Sequence, residues 1–276
     1  IPKTVDNDLP YTDCSPGFGS VAKYIATSTL EAGLDVKSMA ETSTKVFILE
    51  VMGRHAGWIA AASCLAATKA GDPPHIILLP EVPFEKTKFI TQVKQTVKEQ
   101  GYCVIVASEG TQTKNGKFLA DSGLTDAFGH KQLGGVAPVL AGMISKIGLK
   151  NHWAVADYLQ RSARHIASKT DLDQAYAVGE HAVKLAIAGK TALMPIIKRT
   201  SDSPYKWKIA TAPLKNVANI EKTMPKKFIS KNGFEITQAG KTYLSPLIKG
   251  EAPIKYVNGL PDIAELKRIK VKKKLN

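Results

Sequence analysis

Short runs of branched apolar residues alternate with longer stretches of helical spacing over the first 190 positions. Residues 46–51 (VFILEV) form a short, mostly apolar run rich in branched residues between Thr44-Lys45 and Gly53, which predicts a buried strand. Residues 55–70 are small and apolar with almost no breakers, predicting a closely packed helix. Residues 75–79 (HIILL), stopped by Pro80, predict a second strand, and residues 104–107 a third. Between them, Phe89, Val93 and Val97 recur at helical spacing over 85–100, with Gly101 as the stop. Further on, the pattern predicts a helix at 139–147, a strand at 152–156 and a helix at 171–188 ending at Gly189.

Strands separated by helix-length segments predict βαβ units and a parallel sheet covered on both faces, an α/β fold. In such sheets ligands bind beyond the carboxyl ends of the strands, so the polar residues after each strand are the ones of interest. After about Lys198 the rhythm breaks into charged, proline-containing stretches and short alternating runs such as 205–210, which predict an appended region.

Composition narrows the function classes. The chain has 276 residues, 44% of them apolar and 22% charged, enough for a sizeable core and too apolar for global disorder. Cys14, Cys64 and Cys103 form neither a CxxC pair nor a zinc spacing, which suits a reducing compartment. The six histidines show no HxH or HExxH pattern. No apolar run reaches the roughly 18 residues a membrane helix needs, and no signal sequence opens the chain. A cytoplasmic protein with no membrane partner is expected. The chain starts at Ile1 inside a motif, so a fragment is expected too.

The net charge of +14 favours anionic partners. Part of it is local, in Lys267, Arg268, Lys270, Lys272, Lys273 and Lys274. This run reads as a solvated tail, and without interleaved aromatic residues no nucleic-acid partner is expected.

Candidate chemistry begins with Lys3-Thr4-Val5-Asp6-Asn7-Asp8. One carboxylate can take a proton from an attacking hydroxyl, a second can help hold a divalent ion, and a lysine can neutralise a transferring phosphoryl group. The same DND is good turn chemistry, and the residues alone leave both readings open. Met52-Gly53-Arg54 follows the 46–51 strand, where glycine allows close backbone approach and arginine offers a planar fork to phosphate. Glu109-Gly110 and Tyr158-Leu159-Gln160-Arg161 follow two further strands. Pro16-Gly17-Phe18-Gly19-Ser20 has only a partial glycine pattern with no strand before it and reads as a helix start. Together the segments suggest a pocket for a polyhydroxylated, phosphorylated ligand.

In identity and in order these segments resemble the phosphofructokinase family: PKTVDNDL, EVMGRHAGWIA, PEV at residues 80–82, SEG, and YLQRSARHIAS. The resemblance runs from Ile1 to about Pro195, and the last 80 residues carry no motif that can be assigned. It implies two Rossmann-like three-layer domains with parallel sheets, the first largely missing. Residues 1–12 would be a remnant of that domain with the catalytic loop, 13–158 the second domain, 159–200 a segment crossing back, and 201–276 an extension with a basic tail.

By the same resemblance Asp6 is the general base toward the sugar 1-hydroxyl, with Thr4 and Lys3 beside it and Asp8 near Mg2+. Met52, Gly53 and Arg54 bind the sugar phosphate, Glu109 its hydroxyls, and Tyr158 and Arg161 its 6-phosphate. Lys45, with less weight Lys150 and His152, would reach a neighbouring subunit's site, implying a homo-oligomer, dimer or tetramer, with shared sites. Lys3 stands where members that use ATP usually have glycine, which resembles the pyrophosphate-using branch. The expected reaction is transfer from pyrophosphate to fructose 6-phosphate. An ATP-using member and a non-catalytic sugar-phosphate-binding subunit are the alternatives. The glycine-rich donor loop of the family is absent, so the chain alone is expected to be inactive. Tyr158 replaces a common histidine and Asp157 a common glycine, so the 6-phosphate contact is expected to differ in detail.

Overall fold

Alternation within the strands divides the core into two layers, one on each side of a single parallel sheet. A computed structural model describes residues 1–125, 131–133, 135–270 and 272, so Lys273 and Lys274 of the basic run lie outside the described residues. In chain order the elements begin with α1 (Phe18–Met39), β1 (Val46–Val51), α2 (Trp58–Ala62), β2 (Ile76–Leu78), α3 (Lys86–Gln100) and β3 (Cys103–Ser108). There follow β4 (Asp121–Thr125), β5 (Lys131–Leu133), α4 (Val136–Ser145), β6 (Asn151–Val155), α5 (Leu159–Ser162) and α6 (Lys169–Ile187). The hairpin β7 (Leu193–Asp202) and β8 (Tyr205–Pro213) precedes α7 (Gln238–Leu244).

The four-stranded sheet has the order β2-β3-β1-β6, with every pairing parallel. Val46 and Ile48 of β1 join Ile105 of β3 in one apolar layer, against Phe89 and Val93 of α3 and Leu140 and Ile144 of α4. Leu49 and Val51 face the other way, with Val106, against Phe18, Val21 and Ile25 of α1 and Trp58 of α2. A strand buried on both faces needs a near-continuous apolar run, interrupted here only by Glu50, which is why 46–51 is legible from sequence. Among the described residues no helix is long and apolar enough to cross a membrane.

The run 55–70 does not form one helix. α2 takes five residues, Ser63–Ala66 tightens into a 3-10 turn, and Ala67 leaves in extended conformation. Beyond it, Asp72 Oδ2 accepts from the backbone N–H of Thr68 (3.0 Å) and Lys69 (3.0 Å), which closes a loop in place of further helical turns. α4 starts three residues earlier than its apolar spacing predicts, because the Glu50 carboxylate of β1 accepts from the Ala137 amide at 2.8 Å. The alternating run at 205–210 is β8, paired antiparallel with β7 from Leu193–Pro213 to Asp202–Tyr205.

The glycine-bearing segment at 16–20 is a helix start, as its sequence predicts. Asp171 of α6 accepts from the amides of Gly17 (2.8 Å) and Ser20 (3.0 Å) and from the Ser20 hydroxyl. Ser168 in turn caps α6 by accepting from the Asp171 amide. Burial pushes the Asp171 carboxyl up while these hydrogen bonds pull it back. Asp171→Ala should therefore destabilise the fold by about 2 kcal/mol, the cost of orphaning buried donors offset by relief of a buried charge. Urea titration checks this, and a loss under about 0.5 kcal/mol would show that the Asp171 cap contributes little.

Candidate functional site

Parallel register places three strand exits side by side. Val51 pairs with Ser108, and Glu50 with Val155, so β3, β1 and β6 end on the same edge. Neighbouring strands lie about 4.8 Å apart, so the segments that follow them must meet. Ties between the exits hold them there. The Gly53 amide donates to Glu109 Oε1 (3.2 Å), and the Met52 amide to Gln160 Oε1 (3.4 Å). Gln160 is buried and its Nε2 donates to the Asp157 carbonyl at 2.8 Å. The Ser108 hydroxyl donates to the Gly53 carbonyl.

Two glycines make this approach possible. Gly53 has φ +123°, a conformation other residues rarely adopt. At Gly110 a Cβ would sit 2.0 Å from the Arg54 carbonyl oxygen, so the loops bearing Arg54 and Glu109 close on each other only without a side chain there.

The segment 3–8 packs against the same edge. Thr4 Oγ1 accepts from the Asp6 amide at 3.1 Å. Asn7 is buried and left-handed, with φ 57°. Its Oδ1 accepts from the Ser15 amide (3.0 Å) and from Lys222 Nζ (3.2 Å), while Nδ2 donates to the Tyr243 hydroxyl (3.2 Å). The DND run is thus a turn and a candidate site at once. Asn7 points inward, between Asp6 and Asp8.

Electrostatics shows which groups converge on Asp6. Burial is the main cause that pushes its carboxyl up to about 6, and the nearby Asp8 and Glu109 carboxylates add to the rise. His55 and Arg161 pull the other way. Groups from the opening loop and from the exits of β1, β3 and β6 therefore lie within electrostatic range of one carboxylate. At neutral pH such a group is largely ionised yet more basic than an ordinary aspartate, which suits proton acceptance.

Arg54 and Met52 are half-buried, and Lys3 is exposed. Tyr158 is 63% exposed and lies under the Arg161 guanidinium, 4.3 Å from ring centroid to Cζ. A hollow of about 350 Å³ is lined by Val5, Gln160, Arg161 and Arg164. A more open groove of about 620 Å³ is lined by Asp8, Leu9, Leu214 and Ile220. The Asp6 loop runs between them. Lys45 is not brought to this edge: it precedes β1, and its ammonium donates to the Ala40 carbonyl. Lys150 and His152 lie toward the same far end, Lys150 donating to the Ser43 hydroxyl at 2.9 Å.

The donor set suits a hard divalent cation. Among the described residues no group of three or more His, Cys, Asp or Glu side chains gathers into a metal cage. Asp6 and Asp8 offer carboxylate oxygens, the donor type such a cation takes.

Sequence reasoning missed a polar cluster beneath the loop. Arg199 Nε donates to both Asp13 carboxylate oxygens (3.1 and 3.0 Å), and its guanidinium lies over the rings of Tyr243 (4.5 Å) and Tyr205 (4.7 Å). Tyr243 donates its hydroxyl to the Asp13 carbonyl. Lys222, whose ammonium burial pushes down to about 8, lies 5.3 Å from the Trp58 ring centroid. Nothing local in IEKTMP separates Lys222 from a surface lysine.

A family model described as phosphofructokinase matches residues 1–186. The chain is 64% identical over its whole length to a Halomonas elongata protein named pyrophosphate–fructose 6-phosphate 1-phosphotransferase, and spans 66% of that protein. A Methylococcus capsulatus protein of the same name is 58% identical, again over all of this chain and 66% of its own. The crystal structure of a pyrophosphate-dependent phosphofructokinase from Marinobacter aquaeolei superposes with TM-score 0.89 at 60% identity, covering 100% of this chain and 66% of that one. The chain thus spans slightly less than two thirds of the relatives it matches.

The contact at Gly110 can be tested directly. Gly110→Ala should cost about 2 kcal/mol by overpacking and should displace Arg54. Denaturant unfolding and a crystal structure of the variant measure the two effects. An unmoved Arg54 with unchanged stability would show that the loops have slack.

Proposed function

Because the chain belongs to the phosphofructokinase family, we propose that the intact protein transfers a phosphoryl group from pyrophosphate to the 1-hydroxyl of fructose 6-phosphate, giving fructose 1,6-bisphosphate. One observation carries this reading. A carboxylate raised to about 6, Asp6, has Asp8, Glu109 and Arg161 within electrostatic range at the common end of three parallel strands. The names borne by relatives at 64% and 58% identity support the choice of donor and acceptor.

In this reaction Asp6 takes the proton of the 1-hydroxyl as its oxygen bonds to phosphorus. The bridging P–O bond of pyrophosphate breaks, and orthophosphate leaves. Arg54 and Arg161, the latter stacked on Tyr158, neutralise and orient the sugar phosphate. Met52 and Gly53 form the backbone bed beside it, and Glu109 accepts from sugar hydroxyls. Lys3, with Thr4 shaping the turn, supplies positive charge toward the donor. Asp8 would hold Mg2+, which supplies charge neutralisation on the phosphoryl oxygens when bound. Positioning and charge neutralisation supply most of the rate in phosphoryl transfer.

Lys45 has no part in its own chain's pocket. In a homo-oligomer with shared sites it serves a neighbour's, a role consistent with its place beyond the far end of β1.

Asp6→Asn keeps the shape of the loop and removes the base. In the intact protein kcat with pyrophosphate should fall by about 10³-fold. A coupled assay for fructose 1,6-bisphosphate reads this out. Retention of more than about a tenth of the activity would remove Asp6 as the base. Equal turnover with ATP would overturn the donor assignment.

A further inference from the structure

Asp6 has a backbone geometry it cannot set for itself. The residue after it, Asn7, sits at φ 57°, a conformation held by its buried side chain. Lys222 supplies two of the contacts that fix this turn, Nζ to Asn7 Oδ1 at 3.2 Å and its own amide to the Asp8 carbonyl at 2.6 Å. Three acceptors converge on the ammonium: Asn7 Oδ1, the Thr12 carbonyl (3.1 Å) and the Asp13 carbonyl (3.0 Å). An ammonium has three donors and no acceptor, so this arrangement suits lysine and leaves a neutral replacement with orphaned oxygens.

The other end of the linkage reaches the sugar-phosphate side. Trp58 Nε1 donates to the Lys222 carbonyl at 2.9 Å, and Trp58 opens α2 directly after the Met52–Gly57 segment. Glu81 Oε1 accepts from the amides of both Gly57 and Met224, at 3.0 Å each. Residues 222–224 therefore clamp the loop bearing Asp6 to the segment bearing Arg54.

Resting on the function proposed above, we infer that Lys222 is a positioning residue for phosphoryl transfer, setting the base carboxylate of Asp6 in register with the arginine that holds the substrate. It touches no substrate. Its removal should misplace the base and leave the binding of both substrates nearly intact.

The test is Lys222→Met in the intact protein. The expected result is a fall in kcat of about 30-fold or more, with KM for both substrates within about threefold of wild type. Amide hydrogen exchange at residues 4–8 should accelerate about tenfold while the amides of α3 stay unchanged. A folded variant with kcat within about threefold of wild type overturns the inference, as does faster exchange spread equally over α3. If Lys222→Met does not fold, Tyr243→Phe carries the test, because it removes only the hydroxyl linking Asn7 to the Asp13 carbonyl. A roughly fivefold fall in kcat with faster exchange at 4–8 supports the clamp, and no change in either sinks it. Wild-type protein without pyrophosphate-dependent turnover would defeat the proposed reaction, and exchange at 4–8 alone would then decide the positioning role.

Discussion

The parallel pairing of β1 with β3 on one side and β6 on the other determines where every candidate group can stand. Strands whose ends are level must release their chains at one edge, and side chains packed on both faces of β1 leave no room for a shift in register. A slip of one residue would exchange the layer of Ile48 for that of Leu49. The close approach of Gly110 to Arg54 and the Glu109–Gly53 hydrogen bond are possible because that register is unique.

Within this frame, environment assigns different work to chemically identical aspartates. Asp13 is raised by burial but receives both hydrogen bonds from Arg199 Nε, so its charge is matched and its role is to hold residues 12–14 against β7. Asp171 spends its oxygens on the amides at the start of α1. Asp6 is raised as well, yet among the described residues it has no salt bridge, and its nearest charges include two further carboxylates. A half-buried charge without a committed partner is costly to a fold, and it is the kind of group chemistry can use.

Legibility from sequence follows the range of the interaction. Strand β1 and helix α3 could be read because their burial patterns repeat within a few residues. The start of α4 could not, since its cap is Glu50, a strand residue 87 positions earlier. The helix at 55–70 was overestimated because a local Asp72 loop stops it, and small apolar residues carry no stop signal of their own. The polar segments after β1, β3 and β6 were readable as lying at strand ends. Asn7 was visible only as part of a turn, because its partners Lys222 and Tyr243 lie 215 and 236 positions away in a region with no recognisable period.

Those separations bear on how the molecule comes into being. The loop carrying Asp6 is among the first segments to be translated of the residues here, whereas Lys222 and Tyr243 emerge some two hundred residues later. Until they arrive, the left-handed turn at Asn7 lacks its main side-chain partners, and loop closure over such a distance is slow. The sheet strands β1, β2, β3 and β6 all precede Lys222 in the chain, so the sheet and the Asn7 turn depend on segments made at different times. The geometry around Asp6 is thereby a property of the two ends of the chain together, set only when residues 7 and 222 meet.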